Sequence, residues 1–396
     1  MKKEMRYFLP ICFLIFLMTV TSCSLREVPV VSQPQPNPQN GETDSNLSKE
    51  PDFAEQEASD LSNKNLSDTE YEISFAEIPF SEDFPDLAFL PTLFEDKLML
   101  TFALPLSDTQ WNTMVYDLKT QTSTALPFYA PNRFYADEND YYYLSNRYSG
   151  EGITTVMKMN RETLESETIY SSPKGYQLTC NLSFGAGFLV WAQAPCEEEY
   201  SEEYEIWGYD IAKEEVFLID PHCYGSIDYP HAISDGYLCY LKKQFPSEQP
   251  YLLTGYSLKD RKQIASVATE EEPAHFAFNG RYLAWSDSLD REQLHFSKKD
   301  GDKSDTSEEE VGCPAFIKDC CLLYVTGTPR NKIELYDLEK EEKIPIFSDP
   351  ELKESFLDFC ATDDAGRAVF MTRTKSANPG ENNARIFLLT VTEKKS

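Results

Sequence analysis

Histidine is the side chain that most often moves protons or binds metals in proteins, and this chain has four of them: His222, His231, His275 and His295. They are scattered, and none forms a metal-ligand spacing with a cysteine. His222, His231 and His275 precede or open predicted strands, where single histidines are usually packed or exposed rather than catalytic. The histidines therefore predict no catalytic, cofactor-binding or metal-binding residue.

Acidic residues could supply paired carboxylates for glycosidic or lyase chemistry, but with 67 of them such pairs arise by chance. Glu197–Glu199 with Glu202 and Glu203 reads as a charged loop. Asp300–Asp305 offers oxygen ligands to calcium, yet the following glutamates lack EF-hand spacing. Ser297–Asp302 lacks the Thr-Trp of a sialidase-type turn, and no serine-hydrolase elbow occurs. These patterns predict a protein that is not an enzyme and has no cofactor.

The first 23 residues have the three-part layout of a secretory signal: a basic start, an apolar run and small residues before Cys23. The apolar run from Tyr7 to Val20 has 14 residues and is interrupted by Pro10. A helix that crosses a membrane needs roughly 20. A cleaved signal is therefore favoured over a transmembrane helix.

The tetrad Val20-Thr21-Ser22-Cys23 resembles the lipobox of bacterial lipoproteins. That resemblance implies diacylglyceryl transfer to the Cys23 sulfur and cleavage after Ser22, and two acyl chains suffice for a stable anchor. The alternative is an ordinary cleaved signal with a chance cysteine. We expect residues 1–22 to be a lipoprotein signal peptide, and the chain to be anchored in the cell membrane by Cys23 on the extracytoplasmic side.

Eight cysteines follow Cys23, and an even number in an exported chain permits disulfides. No CxxC pair occurs among them, and several lie in apolar strand patterns, where cysteine behaves as a small hydrophobe. Disulfides and buried thiols both remain open for Cys180, Cys196, Cys223, Cys239, Cys313, Cys320, Cys321 and Cys360.

The charge balance excludes one class of partner. The formal net charge is −31, and loss of the signal removes three basic residues and one acidic residue, which brings it to −33. Such a chain cannot neutralise phosphates, so we expect no nucleic-acid partner.

Residues 23–69 are rich in Ser, Asn, Asp, Glu and Pro and predict a lipidated, disordered tether.

Residues 70–396 contain a repeat. A short apolar tetrad returns at intervals of 44, 47, 49, 45, 40 and 46 residues. The seven tetrads begin at Lys97, Tyr141, Phe188, Tyr237, Tyr282, Leu322 and Ala368. Another short segment precedes each tetrad, and a strand ending in a polar turn follows it, as in Val115-Tyr-Asp-Leu-Lys119. After most of these turns comes one more strand.

Four strands per repeat, with no amphipathic helix between repeats, predict an all-β fold with a single β-propeller. A two-sheet sandwich has no reason to repeat one tetrad at this interval. Seven four-stranded blades are favoured within a range of six to eight. The last repeat lacks its outer strand, and Glu70–Ile78 is a spare alternating strand. We expect this N-terminal strand to complete the last blade and close the ring.

The repeat of a turn, Tyr-Leu-x-Trp, a loop and Tyr-Asp-Leu-Lys is similar to the propeller repeats of TolB-like and YWTD-like exported proteins. The Tyr-Trp-Thr-Asp tetrad of the second group is absent. The resemblance covers Asp86 to Thr392 and implies ligand or protein binding on a propeller face, without catalytic residues.

The sequence as a whole predicts a non-enzymatic binding or scaffolding lipoprotein, whose propeller loops bind a protein, peptide or glycan. Long loops around Pro195–Glu203 and Lys298–Glu310 favour this hypothesis. The alternative is a propeller enzyme of the glycoside hydrolase or lyase type, acting on a carbohydrate or peptide in the central funnel. A sensor or assembly factor is a third hypothesis.

Overall fold

The structure of the chain is a computed structural model. It describes residues 70–78, 91–103, 105–106, 110–145, 154–196, 203–224, 231–243, 251–287, 293–299, 303–306, 311–327, 331–348, 355–356, 361–363, 365–373 and 384–394. The lipobox, Cys23 and the predicted tether lie outside these residues. Among the described residues, no helix is long and apolar enough to span a membrane.

The described residues form 29 strands, which group into antiparallel meanders of four. We call each meander a blade and number the blades along the chain. Blade 1 comprises β2 (Thr92–Phe94), β3 (Lys97–Thr101), β4 (Thr113–Asp117) and β5 (Thr122–Ala125). Blade 2 comprises β6 (Tyr135–Ala136), β7 (Asp140–Ser145), β8 (Thr155–Asn160) and β9 (Ser166–Ser171).

Blades 3 and 4 share one sheet of eight strands, joined by the single pair Tyr224 and Leu241. Blade 3 comprises β10 (Tyr176–Gly185), β11 (Phe188–Pro195), β12 (Glu203–Asp210) and β13 (Glu215–Tyr224). Blade 4 comprises β14 (His231–Ser234), β15 (Tyr237–Lys243), β16 (Tyr251–Ser257) and β17 (Lys262–Thr269).

Blades 5 and 6 are separate four-stranded sheets. Blade 5 comprises β18 (His275–Phe278), β19 (Tyr282–Ser286), β20 (Leu294–Lys298) and β21 (Lys303–Thr306). Blade 6 comprises β22 (Val311–Lys318), β23 (Cys321–Thr326), β24 (Lys332–Asp337) and β25 (Glu342–Ser348). Strand β21 corrects the prediction that Lys298–Glu310 is one long loop, because polar residues suffice for an outer strand that pairs on one side only.

Blade 7 combines the two ends of the described chain. Its first-strand position is taken by two short segments, β26 (Ser355–Phe356) and β27 (Ala361–Thr362), which both pair with β28 (Arg367–Arg373). Then follow β29 (Ala384–Glu393) and, as the outer strand, β1 (Tyr71–Ile78). β1 and β29 pair without a register shift from Tyr71 opposite Glu393 to Ile78 opposite Ile386. The predicted completion of the last blade by the N-terminal strand is confirmed.

All seven apolar tetrads lie in the second strand of a blade, where most of their side chains are buried. These strands are covered on both faces, so they show continuous apolar runs instead of alternation. Trp191, Trp285, Tyr240 and Tyr324 are almost completely buried there.

The aspartate of the repeated Tyr-Asp segment caps the turn between the third and fourth strands. Asp117 Oδ1 accepts backbone N–H groups of Lys119 and Thr120 at 2.9 Å each. Asp337 Oδ1 does the same for Glu339 and Lys340 at 3.0 and 3.1 Å. Such Asx turns, in which an Asp or Asn side chain accepts hydrogen bonds from the backbone of following residues, favour aspartate at this position. This explains why the Tyr-Asp segment recurs.

Seven clusters of buried hydrophobic side chains lie between successive blades of the described chain, and one of them joins blade 7 to blade 1. In that cluster, Val369 and Met371 of blade 7 pack with Leu98 and Leu100 of blade 1. Each small sheet thus buries both faces against its neighbours, and the all-β propeller is confirmed. Seven blades among the described residues agree with the favoured number, which stays a prediction for the whole chain.

Candidate functional site

A cavity lies where the first strands of blades 2 to 7 meet, on the axis of the propeller. We call it the upper mouth of the central channel. First strands start at this end, since His231 and His275, which begin β14 and β18, line the cavity. Side chains that come from separate parts of the chain therefore converge here.

The upper mouth has a distinctive set of polar groups. Its lining includes Arg133, Tyr135, His231 and His275, and no aspartate or glutamate among the described residues. Aromatic and aliphatic side chains such as Phe184 fill most of the remaining surface. In a chain with 67 acidic and 36 basic residues, a mouth whose described lining has a guanidinium and no carboxylate favours a negatively charged ligand.

Arg133 and Tyr135 stand side by side at the entrance to blade 2. Burial raises the pKa of Tyr135, and the charge and hydrogen bond of Arg133 oppose this rise. The backbone N–H of Arg133 donates to Asn132 Oδ1 at 2.6 Å, and Asn132 Nδ2 donates to Asn181 Oδ1 at 3.2 Å. These bonds tie Arg133 to the first strand of blade 3.

His231 is buried, with 7% of its surface exposed. Its Nε2 lies 3.2 Å from the carbonyl oxygen of Val190, and its buried Nδ1 has no hydrogen-bond partner. Since the carbonyl can only accept, Nε2 carries the proton and Nδ1 keeps a lone pair. Burial lowers the pKa of His231 to about 4, so the ring is neutral at pH 7.

His275 is half-buried, and its Nδ1 lies 3.5 Å from the hydroxyl oxygen of Ser286 on the neighbouring strand. That contact occupies one ring nitrogen and holds the imidazole at the mouth. A histidine held in this way, in a cavity that a guanidinium also lines, is suited to proton transfer with a bound anion.

Cys313 also lines the upper mouth, at a register shift of β22. Its backbone φ is +43°, an uncommon conformation for a non-glycine residue. Sequence reasoning missed Arg133, Tyr135 and Cys313 as site residues, because none of them belongs to a recognisable motif. The acid-free stretch of residues 118–136 was the available signal.

The other end of the channel has the opposite character. Its lining includes the carboxylates Asp235, Asp319, Asp363 and Glu393, with Lys318. The two cavities share both apolar and polar lining residues, namely Phe184, Ile233, Ser234, Phe316 and Thr362. An anion is therefore favoured at the upper mouth and disfavoured at the lower one.

The remaining predicted positions lie apart from the mouth. His222 is exposed within the outer strand of blade 3, which corrects the prediction that it precedes or opens a strand. His295 lies 2.8 Å from Asp287 in blade 5. Of the acidic cluster in blade 3, Glu203 opens β12 and the others lie outside the described residues.

Six cysteines are free thiols: Cys196, Cys223, Cys239, Cys313, Cys320 and Cys321. Cys360 and the Cys180 side chain are not described.

No family model matches this chain, and no curated protein matches it. Among solved structures, it is similar to an oligogalacturonate lyase in complex with manganese, with a TM-score of 0.54 and 11% identity over 82% of this chain and 96% of that one. It is also similar to an oligogalacturonate lyase from Vibrio parahaemolyticus, with a TM-score of 0.50 and 11% identity over 81% and 96% of the two chains. At this identity the likeness shows the fold.

These comparisons overturn one expectation. The sequence predicted a protein that is not an enzyme, but the two solved structures named above, which have a similar fold, are lyases. Absence of a catalytic motif was a weak argument, because a propeller site is assembled from single residues of different blades. The TolB-like resemblance, the lipid anchor and the localisation stay predictions.

One of the two similar structures contains manganese, so the fit of this site to a metal ion matters. Across the part of the chain that the structure describes, no group of three or more His, Cys, Asp or Glu side chains could hold one. At the upper mouth His231 already uses Nε2 on a backbone carbonyl. The described residues therefore do not fit a manganese site.

Proposed function

We propose that this protein is a propeller enzyme that binds an acidic carbohydrate at the upper mouth and cleaves it by β-elimination. The observation that carries the proposal is the convergence of Arg133, Tyr135, His231 and His275 in a mouth whose described lining has no carboxylate. The similarity of the fold to oligogalacturonate lyases supports it.

The chemistry of a uronate fits these groups. The guanidinium of Arg133 can pair with the sugar carboxylate in two parallel hydrogen bonds, which neutralises charge and makes the neighbouring C–H more acidic. A base then removes that proton, a double bond forms, and the glycosidic C–O bond breaks as its oxygen takes up a proton. The aromatic and aliphatic lining offers faces for the C–H groups of the sugar.

We assign the residues as follows. His275 is the base, because it is only half-buried and one ring nitrogen is held by Ser286. Tyr135 is the acid that protonates the leaving oxygen, and Arg133 beside it holds the carboxylate. His231, neutral and bonded to Val190, is a positioning residue in the wall.

The proposed function is tested with the purified mature chain and oligogalacturonates, with neutral galacto-oligosaccharides as the comparison. Formation of an unsaturated uronate is followed by its ultraviolet absorbance, with and without added manganese. We expect turnover of the uronates alone and a loss of about 100-fold or more in Arg133→Ala, as for removal of a group that stabilises developing charge. Lys119→Ala, in a surface ion pair of blade 1, is the matched control and retains activity.

New reducing ends without ultraviolet absorbance would indicate hydrolysis in place of elimination. If the wild-type chain neither binds nor cleaves any uronate, the proposal is wrong.

We also propose that the enzyme is attached to the cell membrane through lipidated Cys23 and faces the extracytoplasmic side. The support is the lipobox-like tetrad that ends at Cys23. Mass spectrometry of the N-terminal peptide, and release of the protein from membranes by Cys23→Ala, test this part.

A further inference from the structure

The segment Pro127–Tyr135 links blade 1 to blade 2 and crosses the upper edge of blade 1. Four side chains of blade 1 hold every second carbonyl of this segment. Their donors belong to β4, to the residue just before it, to β3 and to β2. The bonds are Thr113 Oγ1 to Phe128 O at 2.5 Å, Asn112 Nδ2 to Ala130 O at 2.8 Å, Thr101 Oγ1 to Asn132 O at 3.1 Å, and Thr92 Oγ1 to Phe134 O at 2.5 Å.

The order of these donors gives the direction of the segment. Strand β4 is the third strand of the blade, β3 the second and β2 the first, so the segment runs radially inward across the blade. It ends at Tyr135, which lines the upper mouth. Blade 1 therefore fixes a continuous path from the outer part of this face to the channel.

The side chains of this segment form two rows that differ in burial. Phe128, Ala130, Asn132 and Phe134 are buried, whereas the alternate residues are exposed or half-buried. We call these alternate residues the outer row, and they are Pro127, Tyr129, Pro131, Arg133 and Tyr135. At about 3.3 Å per residue, Tyr129 and Tyr135 are at most about 20 Å apart along the chain.

Trp111 lies beside the outer row, near Tyr129. It precedes Asn112, which is bonded to Ala130 in both directions, so Trp111 and Tyr129 flank the same pair of hydrogen bonds. Trp111 is 49% exposed and Tyr129 is 43% exposed, and among the described large hydrophobic side chains they are the two exposed aromatics. Solvent-facing aromatic rings beside a binding mouth are typical of contact surfaces.

The charge distribution along this path favours a negatively charged ligand. Residues 118–136 contain no aspartate or glutamate, although the chain has 67, and Arg133 supplies a positive charge where the path meets the mouth. A polyanion that reaches the mouth thus meets flat aromatic surfaces and no repelling carboxylate of this stretch.

We infer that the outer row and Trp111 form a track that binds an extended acidic oligosaccharide, with sugar rings stacked on Trp111 and Tyr129 and the end of the chain at Arg133. This inference rests on the proposed function and specifies its substrate as a longer uronate oligomer.

The test is titration calorimetry of the mature chain with oligogalacturonates from dimer to octamer. We expect affinity to rise with length, and Tyr129→Ala and Trp111→Ala each to reduce octamer affinity roughly five- to tenfold while dimer affinity stays unchanged. Tyr129→Phe should retain the wild-type affinity, because the ring is preserved. Leu164→Ala and Leu218→Ala, which remove similarly exposed hydrophobic side chains elsewhere, are the matched controls.

Thermal midpoints equal to wild type show that the variants are folded. If dimers bind through Arg133 but affinity does not depend on length, or the length dependence survives in both alanine variants, the track is wrong and the proposed function stands. If no uronate of any length binds the wild-type chain, the proposed function fails and the track with it.

Discussion

At the scale of single residues, the upper mouth combines a neutral histidine with a guanidinium. His231 is kept neutral by burial, and its one hydrogen bond goes to a backbone carbonyl. Arg133 supplies a guanidinium to the same lining. The mouth therefore holds its positive charge at Arg133, where the proposed substrate carboxylate would sit.

His231 leads to a prediction about stability. Its pKa is about 4 in the folded protein, against 6.5 for a solvent-exposed histidine of the unfolded chain, so the unfolded chain binds more protons between these values. Stability from this residue is complete above pH 6.5 and is lost as the pH falls toward 4, by about 3 kcal/mol in total. His231→Gln, which keeps a donor for Val190, should flatten this part of the curve of unfolding free energy against pH.

Urea titrations of both proteins from pH 7 to pH 4 measure the difference. His222→Gln is the control, since His222 is an exposed histidine of the outer strand of blade 3. An equal slope in His231→Gln and wild type would show that His231 is not responsible.

At the scale of elements, β1 is the strand on which ring closure depends. It supplies the outer strand of blade 7, and Tyr71 Oη donates to Asp337 Oδ2 of blade 6 at 3.0 Å. Burial alone would raise the pKa of Asp337, but hydrogen bonds from Lys340, Tyr71 and Glu339 together lower it. β1 therefore links three parts of the ring: β29, blade 6 and, through Ile78, blade 1.

Deletion of residues 70–80 should abolish cooperative thermal unfolding or lower its midpoint strongly, because β29 would become an unpaired edge. Tyr71→Phe, a milder change, should cost about 1 to 2 kcal/mol by leaving the buried Asp337 carboxylate short of one donor. Differential scanning calorimetry gives both values. Deletion of residues 40–50 in the predicted tether is the control, and an unchanged midpoint after loss of β1 would contradict its closing role.

At the scale of the whole molecule, packing between blades holds the ring together. Hydrophobic clusters fill each of the seven seams between described blades, while six cysteines remain free thiols. Four of these cysteines are buried and act as small apolar side chains. The fold thus gains its stability from apolar burial in the seams, without disulfides among these six residues.

We predict that all six described cysteines are free thiols. When the purified protein is unfolded in a denaturant that contains iodoacetamide and its peptides are mapped without reduction, each should be recovered in alkylated form: Cys196, Cys223, Cys239, Cys313, Cys320 and Cys321. Exposed Cys196 should also react in the native state, and buried Cys239 should not. A disulfide-linked peptide that contains any of the six would contradict the structure.

The strand repeat could be predicted from sequence because its causes are local. The tetrads from Lys97-Leu-Met-Leu100 to Ala368-Val-Phe-Met371 are apolar since second strands are covered on both faces, and the alternation of Tyr71–Ile78 marks a strand with one exposed face. The polar strand β21 was missed, because its pairing with β20 leaves no apolar pattern.

The candidate site depended on tertiary structure. Arg133, His231 and His275 are separated by 98 and 44 residues and share no motif, so nothing in their spacing shows that they meet. Closure of the ring brings the starts of the first strands to one axis, and that geometry creates a mouth whose described lining has no carboxylate, in an acidic protein. By itself the sequence determined the repeated sheets and the strand that closes them, whereas the folded ring decided which side chains face a ligand together.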